Sequence, residues 1–444
     1  MSSIFLASLL LSQAAPVIAA NSEVVIPQEV RALPGALDNR PFLHSNSPEL
    51  INSGGILLST FPKSGKTSPG AHLNYALTGE FNIFAHHVTR RWSKRGKRSL
   101  YQGILLHNPT SRPARVKVLQ ASSYLSSAHA PFVPLAAQIE DPNGKVFSGP
   151  GSRITGVMVR DKSQAGWTPG VVIPPRGSYM LVNRAIPPSN SRTTWLRLWT
   201  DGQLYVATMA KHGQWNYSGP SLATWKLLLA KGQLITPRDK APSPLDFKGS
   251  KFIYGRVAGV SKGAEWRGTL TDTPSSDVLT APTSGEGFSY VINSLPRGTL
   301  STGQIQSAPM LARYYDTAYL SNGNYGLKYD LELPLHNATK RSKTITIALQ
   351  TPIKEDRLTR NGLRFRRSPS GPPCFRGTIK LSFPAQSGGS VSGAKYFHLV
   401  QRCGQQGKAL VTLPIAPRET KRVKVELIYP PDSVPPQVLT IRSL

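Results

Sequence analysis

At 444 residues the chain is too long for one ordinary hydrophobic core and suits two or three domains. Glycine and proline, 38 of each, break helix interiors and argue against an all-helical protein, while 39% hydrophobic residues argue against disorder. Lys and Arg outnumber Asp and Glu by 53 to 23, a net charge of +30, which points to polyanionic partners and leaves few carboxylates for acid–base or hard-metal chemistry.

Residues 1–20, MSSIFLASLLLSQAAPVIAA, run from an apolar stretch at Ile4–Leu11 into small residues. They read as a secretory signal peptide cleaved near Ala19 or Ala20, although no Lys or Arg precedes the apolar stretch. No later segment has 18 consecutive apolar residues, as a membrane-crossing helix would need. The expected location is therefore exported: periplasm, outer envelope or extracellular space. Partners follow from the compartment. An exported basic protein meets anionic envelope polysaccharide or lipopolysaccharide, with peripheral membrane contact, and no nucleic acid.

Residues 21–70 are turn-rich and read as an extended N-terminal arm, in which Ser47-Pro48-Glu49 is expected to open one helical turn. Next comes a dense basic run, Arg90, Arg91, Lys94, Arg95, Lys97 and Arg98 around Trp92. Its bland reading is a solvated loop; its sharper reading is a polyanion contact, because arginine grips an oxyanion with two hydrogen bonds. Strand signals dominate from about residue 80. Ala114–Leu119 alternates polar and apolar residues with period two, and Thr194–Trp199 and Gln203–Ala207 flank Asp201-Gly202 as a hairpin would. One helix is expected at about 221–231, capped by Ser221 and ended by Gly232.

Residues 237–250 are Pro-rich and read as a linker between β-sandwich-like domains at 71–236 and 251–444. An internal repeat supports two sandwiches: Leu106–Thr110 with Arg115–Gln120 parallels Leu335–Thr339 with Ile345–Gln350. The fold expected is thus mostly β, two sandwich-like domains with an extended arm and few short helices. Cys374 and Cys403, the only cysteines, are expected to pair in an oxidising compartment, stabilising by roughly 3–4 kcal/mol in the chain-entropy model.

Catalytic motifs are scarce. Gly65-Lys66-Thr67 lacks the upstream glycine of a phosphate loop, since Thr60 stands there, and Ser392-x-x-Lys395 lies in a Gly/Ser-rich stretch that favours chance matches. His72, His86 and His87 with Glu80 form the best metal-like group, but adjacent histidines on a strand point to opposite faces, so no metal and no cofactor are expected. Asp316, Asp330 and Glu332 are carboxylates that only folding could bring together for glycoside cleavage. Tyrosines crowd residues 290–330 and read as core more than as a sugar platform.

Several stretches resemble a cyanobacterial family catalogued as domain of unknown function 3370. They are Leu33-Pro34-Gly35 to Leu58-Ser59-Thr60, Phe84-Ala85-His86-His87, Ser148–Arg153, Tyr254–Val260, Gln306–Met310, Gly323-Asn324-Tyr325-Gly326, and Tyr429-Pro430-Pro431-Asp432 with Pro435–Thr440. The resemblance implies an exported envelope protein and supplies no catalytic residue. The function expected is a non-catalytic structural or binding role contacting anionic glycan or lipid headgroups. The alternatives are a secreted carbohydrate-active hydrolase or a periplasmic small-ligand or metal binder.

Overall fold

The computed structural model describes residues 22–90, 98–214, 218–383 and 392–444. Two sandwiches of mostly antiparallel strands account for most of them, with two α-helices, Pro150–Met158 and Leu222–Lys231, among the described residues. The protein is mostly β, as its glycine, proline and alternating apolar positions require.

In the first sandwich one sheet pairs Ser178–Ile186 with Leu100–His107, and that strand with the C-terminal part of Ser191–His212. The other sheet sets Ala114–Leu125 and Leu77–Thr89 on either side of the N-terminal part of Ser191–His212. This long strand overturns the expected hairpin at Asp201-Gly202. The chain does not reverse there; it bulges, with register against Leu77–Thr89 jumping between Thr200 and Leu204, and passes from one sheet to the other. Asp201 holds the corner by accepting from the Arg115 backbone N–H at 2.7 Å. Between the sheets lie Leu43, Phe81, Ile83, Leu106, Val116, Leu196 and Val206.

The helix expected at 221–231 is present: Ser221 Oγ accepts from the Thr224 backbone N–H at 3.2 Å, and Trp225 and Leu229 are buried against the first sandwich. The helical turn expected at Ser47-Pro48-Glu49 is absent. Its Ser47–Pro48 peptide is cis, and the chain continues extended into Leu50–Ile51.

The second sandwich packs a sheet centred on Lys328–His336, Thr420–Ile428 and Pro373–Phe383 against one formed by Gly287–Ile292, Gln437–Ser443 and Lys343–Gln350. Leu331, Leu333, Val423 and Val425 from one side meet Tyr290, Ile345, Ile347, Leu439 and Ile441 from the other. Three features join the halves. Ala258–Lys262, beyond the Pro-rich stretch, pairs with Pro41–Ser45, which pairs in turn with Leu77–Thr89 of the first half. The arm is extended and threads both halves, with Glu23–Pro27 on Gly362–Arg366 and Glu29–Arg31 on Phe288–Tyr290. One core runs from Phe42, Phe84 and Trp195 to Tyr329 and Phe375, and Trp195 Nε1 donates to the Gly326 carbonyl at 2.9 Å. The stretch 237–250 therefore does not separate two independent cores.

The helix Pro150–Met158 is wedged at this junction, with Ile154 and Met158 in the shared core. Proline at its first position is a start signal that the sequence reading passed over. Gly149, which precedes it, has φ +88, and a Cβ there would lie 2.2 Å from a Phe132 ring carbon, so both conformation and space call for glycine.

Candidate functional site

The strand Leu77–Thr89 alternates two histidines across its sheet. His86 faces the junction between the halves and lies in register with Thr193, whose Oγ1 is 2.8 Å from His86 Nδ1. Its other nitrogen, Nε2, lies 3.6 Å from Glu49 Oε1, beyond hydrogen-bond reach. The second carboxylate oxygen of Glu49 is in contact with Arg256. Asp432 enters from the loop after Thr420–Ile428, and ligand atoms of Glu49, His86 and Asp432 all lie within 4.8 Å of one another. These side chains open onto a cleft of about 640 Å³ with Ser126, Ser189 and Ser191 in its wall.

His87 points the other way, as alternation demands. Its Nε2 is 3.0 Å from Ser45 Oγ and its Nδ1 2.9 Å from the Pro48 carbonyl, and burial lowers its pKa to about 3. His72 sits elsewhere, 2.8 Å from Ser59 Oγ, with its pKa lowered by burial and by Lys66 to about 4. Glu80 is held by Arg40 and Arg197. The group His72, Glu80, His86 and His87 thus does not converge. Folding brings His86 instead to Glu49 and Asp432, two carboxylates that the sequence reading did not single out. A signal was available: Glu49, His86, Arg256 and Asp432 each fall within a stretch that carries the family resemblance.

Of the basic run, Arg91, Lys94, Arg95 and Lys97 lie outside the described residues. Arg90 is exposed beyond the end of Leu77–Thr89, and Arg98 donates from Nη1 to the Gly213 carbonyl at 3.1 Å. The proposed signal peptide, residues 1–20, is also outside them. Cys374 and Cys403 are joined as a disulfide, their Cα atoms 5.2 Å apart.

The carboxylates considered for hydrolysis do not share a cleft as a free pair. Asp316 is gripped by Arg238 through bonds of 2.7 and 3.1 Å; Asp330 meets Lys424 at 3.0 Å; Glu332 meets Arg422 at 2.7 Å. Beside Asp330, burial raises the Glu426 carboxyl, but hydrogen bonds from Lys328 and Lys380 outweigh it and hold the pKa at about 2. Tyr290, Tyr314 and Tyr329 are core residues; Tyr315, 88% exposed, is the large side chain of that cluster most open to water. Tyr314 ties the halves, accepting from the Ser59 N–H and donating to the Ala71 carbonyl, both at 2.9 Å.

No curated protein matches the chain. Among solved structures, the CUB1-EGF-CUB2 domain of human MASP-1/3 aligns with 81% of this chain and 99% of its own at 9% identity, with a TM-score of 0.16. Fet3p, a multicopper oxidase that functions in iron import, aligns with 79% of this chain and 51% of its own at 8% identity, with a TM-score of 0.11. Likenesses this low carry no argument. The family match is of a different order, since it spans residues 28–443 and with them both sandwiches, the helical wedge and the cleft: the chain belongs to the family described as protein of unknown function, DUF3370.

Proposed function

We infer that this is an exported, non-catalytic binding protein of the cell envelope that holds anionic glycan or lipid headgroups to its basic surface. The observation that carries the reading is the net charge of +30, together with where the carboxylates go. Asp316, Asp330, Glu265 and Glu426 are engaged by cations in partly buried pairs, so they do little to neutralise the exterior. Arg115 and Lys117 project from the outer face of Ala114–Leu125, and the Lys117 ammonium lies 5.0 Å from the Trp199 ring centroid. Residues 1–20 motivate export; in that compartment the available polyanions are phosphates and sulfates of envelope polymers. The same engagement of Asp316, Asp330 and Glu332 counts against the hydrolase alternative, which needs a free pair flanking one bond.

The test is retention on sulfated or lipopolysaccharide resin across a salt series, with wild type compared against Arg90, Arg91, Arg95 and Arg98 all changed to Ser. Binding by counterion release should weaken steeply with salt, and four lost contacts should make the logarithmic salt slope shallower by about 3. Elution of both proteins at the same salt would leave the run a solubility device. The mass of the native N-terminus checks the export part: an intact Met1 on cytoplasmic protein would refute it.

A further inference from the structure

We propose that Glu49, His86 and Asp432 form a binding site for a divalent transition cation, with the cleft leaving further coordination positions open. Three distant segments of the chain converge there, with candidate ligand atoms all within 4.8 Å of one another. One imidazole and two carboxylates form a mixed nitrogen–oxygen set of the kind that suits Zn²⁺ and its neighbours better than Ca²⁺ or Mg²⁺.

An independent observation comes from His86 itself. Its residue is 4% exposed, yet Nε2 faces the cleft with nothing nearer among its ion-pair partners than Glu49 Oε1 at 3.6 Å. Nδ1, by contrast, is fixed 2.8 Å from Thr193 Oγ1. When Thr193 Oγ1 accepts from Nδ1–H, the ring presents the Nε2 lone pair to a cation, the arrangement in which metal-binding histidines are usually held. Thr193 is itself fully buried at the strand position opposite His86, so the orientation is built into the sheet register. Arg256 contacts Glu49 at Oε2, while Oε1 is the oxygen that faces His86. Three protein ligands with an accessible cleft of about 640 Å³ leave room for water or an oxyanion to complete the coordination.

The experiment is calorimetric titration of the chelator-stripped full mature chain with Zn²⁺, with Ca²⁺ titrated in parallel. The expected result is one equivalent of Zn²⁺ bound well above any Ca²⁺ response. Asp432→Asn and His86→Gln should each weaken that binding by more than about tenfold, and Thr193→Val by about tenfold, through the lost orientation of the imidazole. Asp432 is exposed, so its variant should keep the wild-type melting temperature without metal even where His86→Gln does not fold. Absence of stoichiometric Zn²⁺ binding, or equal binding by wild type and Asp432→Asn, would overturn the proposal and leave Glu49 as the partner of Arg256. The proposal stands apart from the polyanion reading, whose resin assay does not depend on metal.

Discussion

The two halves turn the same corner with the same atoms. In the first, the Asn108 amide donates to the carbonyls of Arg112, Ile173 and Pro174 at 2.6, 3.1 and 3.1 Å, and its Oδ1 accepts from Thr110 N–H and Oγ1–H. In the second, Asn337 donates to Arg341, Ile415 and Ala416 at 2.7, 3.1 and 3.0 Å, and its Oδ1 accepts from Thr339 in both ways. The preceding histidines match too, His107 at 2.9 Å from Ser178 Oγ and His336 at 2.9 Å from Thr420 Oγ1. Strand register follows suit: His107 faces Ser178 and Ala114 faces Ile173, as His336 faces Thr420 and Lys343 faces Ile415. The four-strand unit is used twice, and the difference lies in what covers it. Four residues before its histidine the first unit has Gly103, where a Cβ would come within 2.9 Å of the Trp225 ring; the second has Glu332, paired with Arg422. Glycine admits the helix Leu222–Lys231, whereas glutamate keeps the equivalent face in water.

The sharpest way to break this comparison is to remove what the helix contributes. Trp225, fully buried beneath Gly103, should cost about 3–5 kcal/mol on Trp225→Ala, as large aromatic truncations in a core do. Glu332→Ala at the matching place should change stability by no more than about 0.5 kcal/mol, because it loses only an exposed ion pair. Urea unfolding measures both, and because one core spans the halves each variant should still melt in a single transition. A small effect of Trp225→Ala would mean that the helix merely leans on the sandwich. Two transitions would mean that the halves are energetically separate after all.

What the sequence disclosed follows the range of the interactions involved. The helix at Leu222–Lys231 was legible because its cap, apolar face and stop are local. The repeat was legible because the Asn-to-Thr and Asn-to-Arg part of each corner is local, although the reading covered only its first two strands. Ile173-Pro174-Pro175-Arg176 and Ile415-Ala416-Pro417-Arg418 are the returning half of the same unit, and the positive φ values of Arg176 and Arg418, 54° and 61°, mark the shared turn. Asp201-Gly202 misled, because a tight turn and a corner bulge need the same residues, and only pairing with Gly79 and Leu77 tells them apart. The cleft was illegible for the same reason: residues 49, 86 and 432 are joined only by the meeting of the two halves.

Acid should weaken the single cooperative fold through two kinds of buried group that lose their effect in different pH ranges. His44 and His87, in the first sheet, are fully buried, and burial lowers both to about 3. Unfolding restores them to about 6.5, so the unfolded state binds protons that the folded state refuses. Their contribution is therefore complete above pH 6.5 and is lost as pH falls toward 3, by up to about 2.7 kcal/mol per pH unit for the pair. Glu426, in the second half, is held at about 2 and so contributes above the ordinary carboxylate range, losing its effect only as pH falls from about 4.5 toward 2. Urea midpoints between pH 7 and 3 should show His87→Gln flattening the upper part of the profile, and Glu426→Gln only the lower part. An unchanged upper slope in His87→Gln would show that His87 takes up a proton in the folded state.

The smallest expected effect tests whether the two corners are equivalent in energy as well as geometry. Asn108→Ala and Asn337→Ala each remove the donor shared by three backbone carbonyls and the acceptor that orders the following threonine. The loss should be about 1–3 kcal/mol in each case, since buried carbonyls left without partners keep the cost of their desolvation. The corners share no partner, so the double variant should equal the sum within about 0.5 kcal/mol. Asp is the more discriminating replacement. It keeps an oxygen for Thr110 or Thr339 but sets an acceptor-only carboxylate against three carbonyl oxygens, so each Asn→Asp change should cost more than Asn→Ala at neutral pH. That excess should shrink on acidification, when the protonated side chain regains one donor. Equal costs for Asp and Ala at both pH values would show that the threonine contacts, rather than the three carbonyls, hold the corner together.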